Sequence, residues 1–91
     1  MSEFRDNKDE ARFEWREQDD VAFADYRLRP GGVHAITHVE TPPQLRGQGM
    51  AGRLMDAVVA HARAEGFKLE PHCTYAVAYF RRYPAAHDVL A

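Results

Sequence analysis

From residue 12 the side chains alternate, with Phe13, Trp15 and then Glu17 on one face and Arg12, Glu14 and Arg16 on the other. Alternation with a period of two is typical of a strand with one buried face. Residues 21–28 are rich in apolar and aromatic residues and form a second predicted strand, and a third is predicted at residues 33–40. Each follows a short turn of polar, proline or glycine residues. Because short turns between consecutive strands favour antiparallel pairing, the pattern predicts a three-stranded meander.

The period then lengthens to between three and four residues. Apolar residues recur at helical spacing and stop before a glycine in the C-cap position: Met50, Leu54, Met55, Val58, Val59, Ala62 and then Gly66. A short strand at residues 67–73 and a second helix at residues 74–83, capped by Thr74 and stopped by Pro84, follow. A strand, a helix and a strand in succession imply a right-handed crossover and a parallel strand pair.

The predicted order β-β-β-α-β-α describes a single α/β domain of the α+β type over residues 1–91. Residues 1–11 are polar and highly charged, so we expect a frayed start there and no signal peptide. The formal net charge of −2 gives no electrostatic footprint for nucleic acid. No apolar run approaches the roughly 20 residues that cross a bilayer. The one cysteine, Cys73, excludes an internal disulfide. We therefore expect a cytoplasmic protein that binds neither nucleic acid nor membrane.

A glycine-rich turn, Arg-Gly-Gln-Gly-Met-Ala at residues 46–51, separates the meander from the first helix. Glycines allow a sharp turn and leave no side chain between the backbone N–H groups and a ligand. The first N–H groups of a helix lack internal partners, and the helix dipole favours an anion there, so a pyrophosphate would fit. A tight turn without a ligand is the alternative. The sequence excludes a Walker loop and a dinucleotide fingerprint, because the residues that those motifs require are missing.

Written as Arg46-x-x-Gly49-x-Ala51, this turn resembles the pyrophosphate loop of GNAT-type N-acetyltransferases. The chain as a whole resembles a family of very short, single-domain GNAT-like proteins, and the resemblance covers roughly residues 13–90. It implies a minimal GNAT core that binds acetyl-CoA or CoA. Three segments in order carry the likeness: His38-Val39-Glu40-x-Pro42-Pro43, Leu45-Arg46-Gly47-x-Gly49, and Pro71-x-Cys73-x-Tyr75-x-x-x-Tyr79-x-x-Arg82-x-Pro84.

The resemblance also implies where the cofactor lies. Its pyrophosphate would contact the loop and the helix start, and its acyl arm would lie between the third and fourth predicted strands. A backbone N–H in the Val39 region would polarise the acetyl carbonyl. The expected cofactor-binding residues are Val39, Arg46, Gly47, Gln48, Gly49, Met50, Ala51, Gly52 and Tyr79.

The standard catalytic ending of the superfamily is altered in this chain. GNAT enzymes carry Asn-x-x-Ala and, after three more residues, a tyrosine that protonates the departing thiolate. The corresponding positions hold Cys73, Ala76 and Phe80, and a phenyl ring cannot donate a proton. Tyr79 is adjacent but points about 100° away on a helix, so it is a weak substitute. We therefore expect transfer, if it occurs, not to depend on a tyrosine acid.

Cys73 and Glu40 are the catalytic candidates. Cys73 precedes a helix, whose dipole favours a thiolate that could take the acetyl group or act as an acid–base group. The alternative for Cys73 is a small buried apolar residue. Glu40 could act as a base beside His38, which shares its strand face, although a charged residue at a strand end is often only solvated. His34 would share that face too, but about 13 Å separates it from His38, so we predict no metal site.

A full-size GNAT domain has two helices between its first two strands and two more strands at its carboxyl end. Residues 18–20 cannot hold helices, and only seven residues follow Pro84. We therefore expect an open acceptor side, suited to an amine of a protein, a peptide or a small molecule. Two functions remain open: an N-acetyltransferase of unknown amine specificity, and a non-catalytic acyl-CoA-binding or sensing module.

Overall fold

The strands predicted from alternating residues are present in the computed structural model, which describes residues 2–91. They form the centre of one five-stranded sheet in which neighbours along the chain are neighbours in space. Four strands pair antiparallel, and the fifth pairs parallel with the fourth. The strands are β1 (Ser2–Asn7), β2 (Arg12–Glu17), β3 (Asp20–Arg29), β4 (Val33–Glu40) and β5 (Lys68–Pro71).

Strand β1 corrects the sequence prediction, since residues 2–7 are not frayed but pair with β2 over their whole length. Phe4 packs against the hydrophobic core and stacks on Phe13, with ring centroids 6.0 Å apart. Asp6 accepts a hydrogen bond of 2.7 Å from the hydroxyl of Tyr26. The inward face of β1 therefore carries an aromatic ring, Phe4, and a hydrogen-bonded carboxylate, Asp6. Because one of these two residues is charged, the pattern of apolar residues did not predict the strand.

Two helices and two short 3₁₀ turns complete the fold. Helix α1 (Met50–Glu65) ends, as predicted, at Gly66, which has the left-handed φ of 79° that glycine adopts without strain. Helix α2 (Thr74–Arg82) is capped by Cys73 rather than by Thr74, because the Cys73 sulfur accepts a bond of 3.3 Å from the Ala76 amide. The 3₁₀ turns are Pro43–Leu45 and Pro84–Val89. No helix within residues 2–91 is long and apolar enough to cross a membrane.

Both helices pack on the face of the sheet that carries the apolar side chains of β2, β3 and β4. Small residues at Ala22 and Ala24 let α1 approach the strands closely, and Leu54 and Val58 fill the space between them. Burying an aliphatic or aromatic side chain of this size stabilises a fold by about 1.5–3 kcal/mol. This single layer of helix on sheet is the core: Phe13, Ala22, Ala24, Tyr26, Ile36, Met50, Leu54, Met55, Val58, Val59, Ala62, Leu69, Ala76, Tyr79, Phe80, Ala86 and Val89.

An irregularity in the β3–β4 pairing changes which side chains at the end of β4 face the core. Tyr26 lies opposite Ile36 and Asp25 lies opposite His38, so one residue of β4, Thr37, has no partner on β3. Such a bulge shifts the alternation of side chains by one position. Val39 therefore packs towards the core, opposite Ala24, whereas His38 turns to the other face of the sheet.

The bulge overturns the prediction that His34 and His38 share a face. His34 lies on the core side, where its ring stacks on Phe67 with centroids 3.9 Å apart. The Nδ1 atom of His34 is buried without a hydrogen-bond partner among the described residues, and burial lowers the pKa of this imidazole. His38 instead pairs with Glu40 on the opposite face.

The parallel pairing of β4 with β5 stops before β4 ends. The last partners are Ile36 and Pro71, and the His72 amide then donates a bond of 2.9 Å to the Ile36 carbonyl. Residues 37–40 have no strand partner on that side within the described chain. The two strands thus diverge and leave a gap at their carboxyl ends, as the sequence resemblance implied.

Candidate functional site

The glycine turn has the backbone conformation that its sequence predicts. Gly47 and Gly49 have φ values of 81° and 84°, in the left-handed region that other residues adopt only with strain. A Cβ atom on Gly49 would lie 2.9 Å from Nη1 of Arg53, whereas a Cβ atom on Gly47 would meet nothing within 4 Å. Gly49 is also the N-cap residue of α1. The turn therefore leads directly into the first residues of α1, a helix of 16 residues.

Consecutive backbone amides of this turn are free to bind an anion. The donors that the turn does use are Arg46, Gln48 and Arg53, whose amides bond to the carbonyls of Pro43, Leu45 and Gly49. The remaining amides donate to no acceptor within residues 2–91, and the helix dipole adds partial positive charge at the same point. These free amides belong to Gly47, Gly49, Met50, Ala51 and Gly52.

A side-chain network holds the turn against the sheet. The Arg53 guanidinium donates to both carboxylate oxygens of Glu17 and, over 3.2 Å, to the carbonyl of Gln48. The indole of Trp15 donates to the same carboxylate over 2.7 Å. The hydrogen bonds from Arg53 and then from Trp15 lower the pKa of Glu17 to about 2, so this carboxylate is ionised throughout the usual pH range. The β2 strand thereby fixes the position of the turn.

A cavity of about 330 Å³ connects the turn with the divergent end of β4. One wall is the backbone and side chains of β4 beyond the bulge, another is the start of α1, and the third is a tyrosine of α2. The cavity brings together five of the residues predicted from sequence, which are Val39, Glu40, Arg46, Gly47 and Ala51. The full lining is His38, Val39, Glu40, Thr41, Arg46, Gly47, Ala51 and Tyr75.

The other predicted residues of the turn lie beside the cavity. The side chain of Gln48 donates to the Gln44 carbonyl over 3.3 Å, and Met50 is buried in the core, so neither side chain faces the gap. Gly49 and Gly52 contribute backbone alone. A ligand in the cavity could therefore contact these four residues only through their backbone.

Tyr79 and Cys73 are not part of the cavity lining. Tyr79 is buried, and its hydroxyl donates to a carboxylate oxygen of Asp56 over 2.6 Å; burial and this carboxylate raise the pKa of the phenol. Cys73 is half-buried, packs against the core and caps α2. The roles assigned to these two residues from sequence stay predictions.

Glu40 and His38 form a pair at the mouth of the cavity. The distance from the His38 Nε2 atom to the Glu40 carboxylate is 3.1 Å, and about half of each side chain is exposed. Both lie on the face of the sheet away from the helices. A similar pair, Glu70 and His72, ends the neighbouring strand, and its hydrogen bond lowers the pKa of Glu70. A carboxylate beside an imidazole can accept a proton from an incoming amine.

Thr41 and Tyr75 line the cavity but were not among the site residues predicted from sequence. Tyr75 stands in the first turn of α2, two residues after Cys73, and it is 38% exposed. Burial of the remainder raises the pKa of its phenol. The only sequence signal was its place in the segment from Pro71 to Pro84, which carries the family likeness. No group of three or more His, Cys, Asp or Glu side chains that could hold a metal lies within residues 2–91.

Comparison with known proteins places the chain in a family. Residues 12–89 match the family model of the GCN5-related N-acetyltransferases, and the chain belongs to this family. No protein of curated function matches it significantly.

Two solved structures share the fold. One is the solution structure of a GCN5-like protein from Staphylococcus aureus, proposed to be an N-acetyltransferase; it is 27% identical, the TM-score is 0.74, and the alignment covers 98% of this chain and 87% of that one. The other is a proposed acetyltransferase from Clostridium acetobutylicum, crystallised with acetyl-CoA. It is 21% identical with a TM-score of 0.59, and the match covers 86% of this chain and 60% of that one.

Proposed function

We propose that this protein binds acetyl-CoA and transfers its acetyl group to a primary amine. The observation that carries the proposal is the cavity, which joins an anion-binding turn to an unpaired strand end within one space of about 330 Å³. Membership of an N-acetyltransferase family and a related fold crystallised with acetyl-CoA support it. Bound acetyl-CoA would supply an acyl group already activated as a thioester.

The free amides of the turn would hold the pyrophosphate. Five N–H groups between Gly47 and Gly52 lack acceptors within residues 2–91, and Arg46 lines the cavity beside them. Hydrogen bonds to a charged acceptor contribute about 1.5–3 kcal/mol each, so a few of them suffice for a firm anchor. Arg53 would act through the turn, because it donates a hydrogen bond to the Gln48 carbonyl and so helps to hold the turn in place.

The end of β4 would place the thioester. Residues 37–40 have no partner across the gap, so an extended acyl arm could add to this edge in place of β5. Val39 lines the cavity, and its amide would polarise the carbonyl oxygen of the thioester. Holding the carbonyl carbon at a fixed place beside an open face supplies much of the acceleration in a direct transfer.

Glu40, with His38, would manage the proton of the amine. An amine must lose a proton before or during its attack on the carbonyl carbon, and a positioned base contributes roughly 10²–10⁴-fold to such a step. Glu40 lines the cavity, and His38 can pass the proton to solvent because about half of its side chain is exposed. Cys73, whose sulfur caps α2, is the second candidate, and its capping bond favours a structural role.

The open face of the sheet suggests the class of acceptor. His38 and Glu40 point to the side that carries no helix, so an amine on a large partner could reach the thioester without entering a closed pocket. An amine on a protein or a peptide fits this approach better than an enclosed small molecule.

The proposal is tested by titrating the protein with acetyl-CoA in a calorimeter and then following label from [¹⁴C]acetyl-CoA into a panel of amines and peptides. Binding together with transfer supports the full proposal. Binding without transfer to any acceptor would favour a non-catalytic acyl-CoA-binding or sensing module. Absence of binding would refute both.

A further inference from the structure

The open face of the sheet, away from the two helices, carries its charged side chains in rows. Residues that lie directly opposite each other on neighbouring strands point to the same face. One row crosses β1 to β4 at Arg5, Glu14, Phe23 and Glu40, and the next crosses them at Asn7, Arg12, Asp25 and His38. Arg27 follows on β3, two residues beyond Asp25. The proposed base, Glu40, therefore ends a row that begins at an arginine.

The carboxylates of this face have partners within residues 2–91, whereas two of its arginines form no ion pair there. The partnered carboxylates are Glu3 with Arg16, Glu14 with Asn7, Asp25 with Arg12, Glu40 with His38, and Glu70 with Arg29 and His72. Arg5 and Arg27 are exposed and take part in none of these pairs. The open face thus keeps guanidinium groups available to an anion from outside.

Arg12 lies between these two arginines and completes a line that crosses the sheet obliquely. Each step along the line moves one strand sideways and two residues along the chain, so the backbones of Arg5, Arg12 and Arg27 are roughly 8 Å apart in turn. We call these three residues the arginine diagonal. The diagonal runs beside the row that ends at Glu40.

The middle member of the diagonal is held in place by its neighbours. The Arg12 Cζ atom lies 4.0 Å from the centroid of the Phe23 ring, and its Nε atom lies 3.3 Å from a carboxylate oxygen of Asp25. Stacking on an aromatic ring fixes the plane of a guanidinium and so reduces the entropy that binding costs. Phe23 is the strand partner of Glu40. Arg12 is thereby positioned next to the proposed base.

We propose that the arginine diagonal docks an acidic segment of a partner protein and presents a lysine of that segment to Glu40. This assignment rests on the proposed function and names its acceptor as a lysine flanked by aspartate or glutamate. The planar fork of a guanidinium matches the two oxygens of a carboxylate. A lysine amine stands at the end of a long flexible stem, so it can reach the cavity from a backbone that lies on the open face.

The kind of cation on this face suits such an acceptor. The positively charged residues of β1 to β4 are arginines, together with two histidines on β4. A guanidinium stays protonated and does not accept an acetyl group, so the face can hold an acidic segment without offering an amine of its own. A basic segment would instead bring its cations against Arg5 and Arg27, and like charges repel.

The test compares acetyl transfer to two short peptides, blocked at both ends, whose single lysine is flanked either by glutamates or by glutamines. Exposed ion pairs change affinity by a factor of roughly two to three each, so three of them should give a preference of about tenfold at low ionic strength. At saturating acetyl-CoA, KM for the glutamate peptide should therefore be about tenfold lower, with kcat the same for both peptides. Salt at about 1 M should remove the difference, because it screens exposed charges.

Three variants locate the effect on the diagonal. Arg27→Gln removes an exposed side chain without an ion pair, so the fold should be unaffected, and the preference should fall to about fourfold. Replacing Arg5, Arg12 and Arg27 together by glutamine should reduce it to about one. Arg81→Gln removes an exposed arginine from α2 instead and should keep the preference of about tenfold. Transfer to the glutamine peptide should remain at the wild-type rate in all three variants.

The outcomes separate the docking surface from the proposed function. Equal transfer to both peptides, or a preference that the triple variant keeps, would refute the docking role of the diagonal and leave the proposed function intact. Transfer to other amines but to neither peptide would do the same. A wild-type protein that transfers acetyl to no amine at all would refute the proposed function and the docking role together.

Discussion

Replacement of Gly49 by valine separates the binding role of the turn from its effect on stability. At a φ of 84°, a side chain brings its Cβ atom against the following carbonyl, which costs roughly 1–2 kcal/mol. The added Cβ would also lie 2.9 Å from Nη1 of Arg53, so the contact between Arg53 and the Gln48 carbonyl must shift. The chain offers a matched control at the other end of the same helix. Gly66 has a φ of 79°, and a Cβ atom there would meet nothing within 4 Å.

The two substitutions should have similar effects on stability and different effects on binding. Each should lower the free energy of unfolding by about 1–2 kcal/mol, and each 1 kcal/mol corresponds to a Tm decrease of about 4–8 °C in a domain of this size. Gly49→Val should in addition displace at least two of the amides that face the pyrophosphate. At about 1.5–3 kcal/mol for each bond to a charged group, the Kd for acetyl-CoA should rise at least about 100-fold.

The assay is calorimetric titration with acetyl-CoA, accompanied by thermal unfolding followed by circular dichroism. Gly66→Val should bind acetyl-CoA with nearly the wild-type Kd despite its lower Tm. If folded Gly49→Val also binds with the wild-type Kd, the pyrophosphate does not contact this turn. If both variants lose affinity equally, the loss comes from stability, and the argument from free amides fails.

Three further perturbations test the rest of the site and the core. Glu40→Gln should lower acetyl transfer about 100-fold with little change in acetyl-CoA affinity, and an unchanged rate would exclude Glu40 as the base. Cys73→Ser should retain both the cap of α2 and acetyl transfer. In the wild-type protein, a thiol reagent should label Cys73 at the same rate with and without bound CoA, and slower labelling with CoA would instead place the thiol near the thioester. Because burial lowers the pKa of His34, its contribution to stability is present above the usual imidazole pKa of about 6.5 and is lost as pH falls below it. Urea unfolding between pH 7.5 and 5 should therefore show a decline that is smaller in His34→Gln, and equal declines would contradict this account.

The local elements of the fold could be predicted from sequence because each has a local cause. The alternation in β2 and the helical spacing in α1 depend on which residues are buried, and both predictions are confirmed. The end of α1 at Gly66 follows from the left-handed conformation that glycine permits. The sharp turn at the glycines has the same kind of local cause, and the positive φ values of Gly47 and Gly49 confirm it.

Features that depend on pairing between strands could not be predicted in this way. In the sequence, Thr37 is an ordinary β-branched residue of a strand. Only its lack of a partner on β3 shows that it forms a bulge. The prediction that His34 and His38 share a face was consequently wrong, whereas His38 and Glu40 share a face as predicted. Tyr75 was overlooked as a site residue for a related reason, since its approach to Gly52 brings together residues of two different helices. Capping by Cys73 was missed because Thr is the commoner cap.

The face of the sheet opposite the two helices leaves the proposed site open to solvent. On this face charged residues form ion pairs between strands: Arg12 of β2 with Asp25 of β3 at 3.3 Å, and Arg29 of β3 with Glu70 of β5, across β4, at 3.4 Å. Exposed pairs of this kind contribute only about 0–1 kcal/mol each, so their main effect is to keep the face solvated. The bulge at Thr37 then turns Glu40 onto this face while Val39 stays on the core side. A cofactor held at α1 and an amine arriving from solvent would therefore meet across the single strand β4, and no further layer of structure is needed to bring them together.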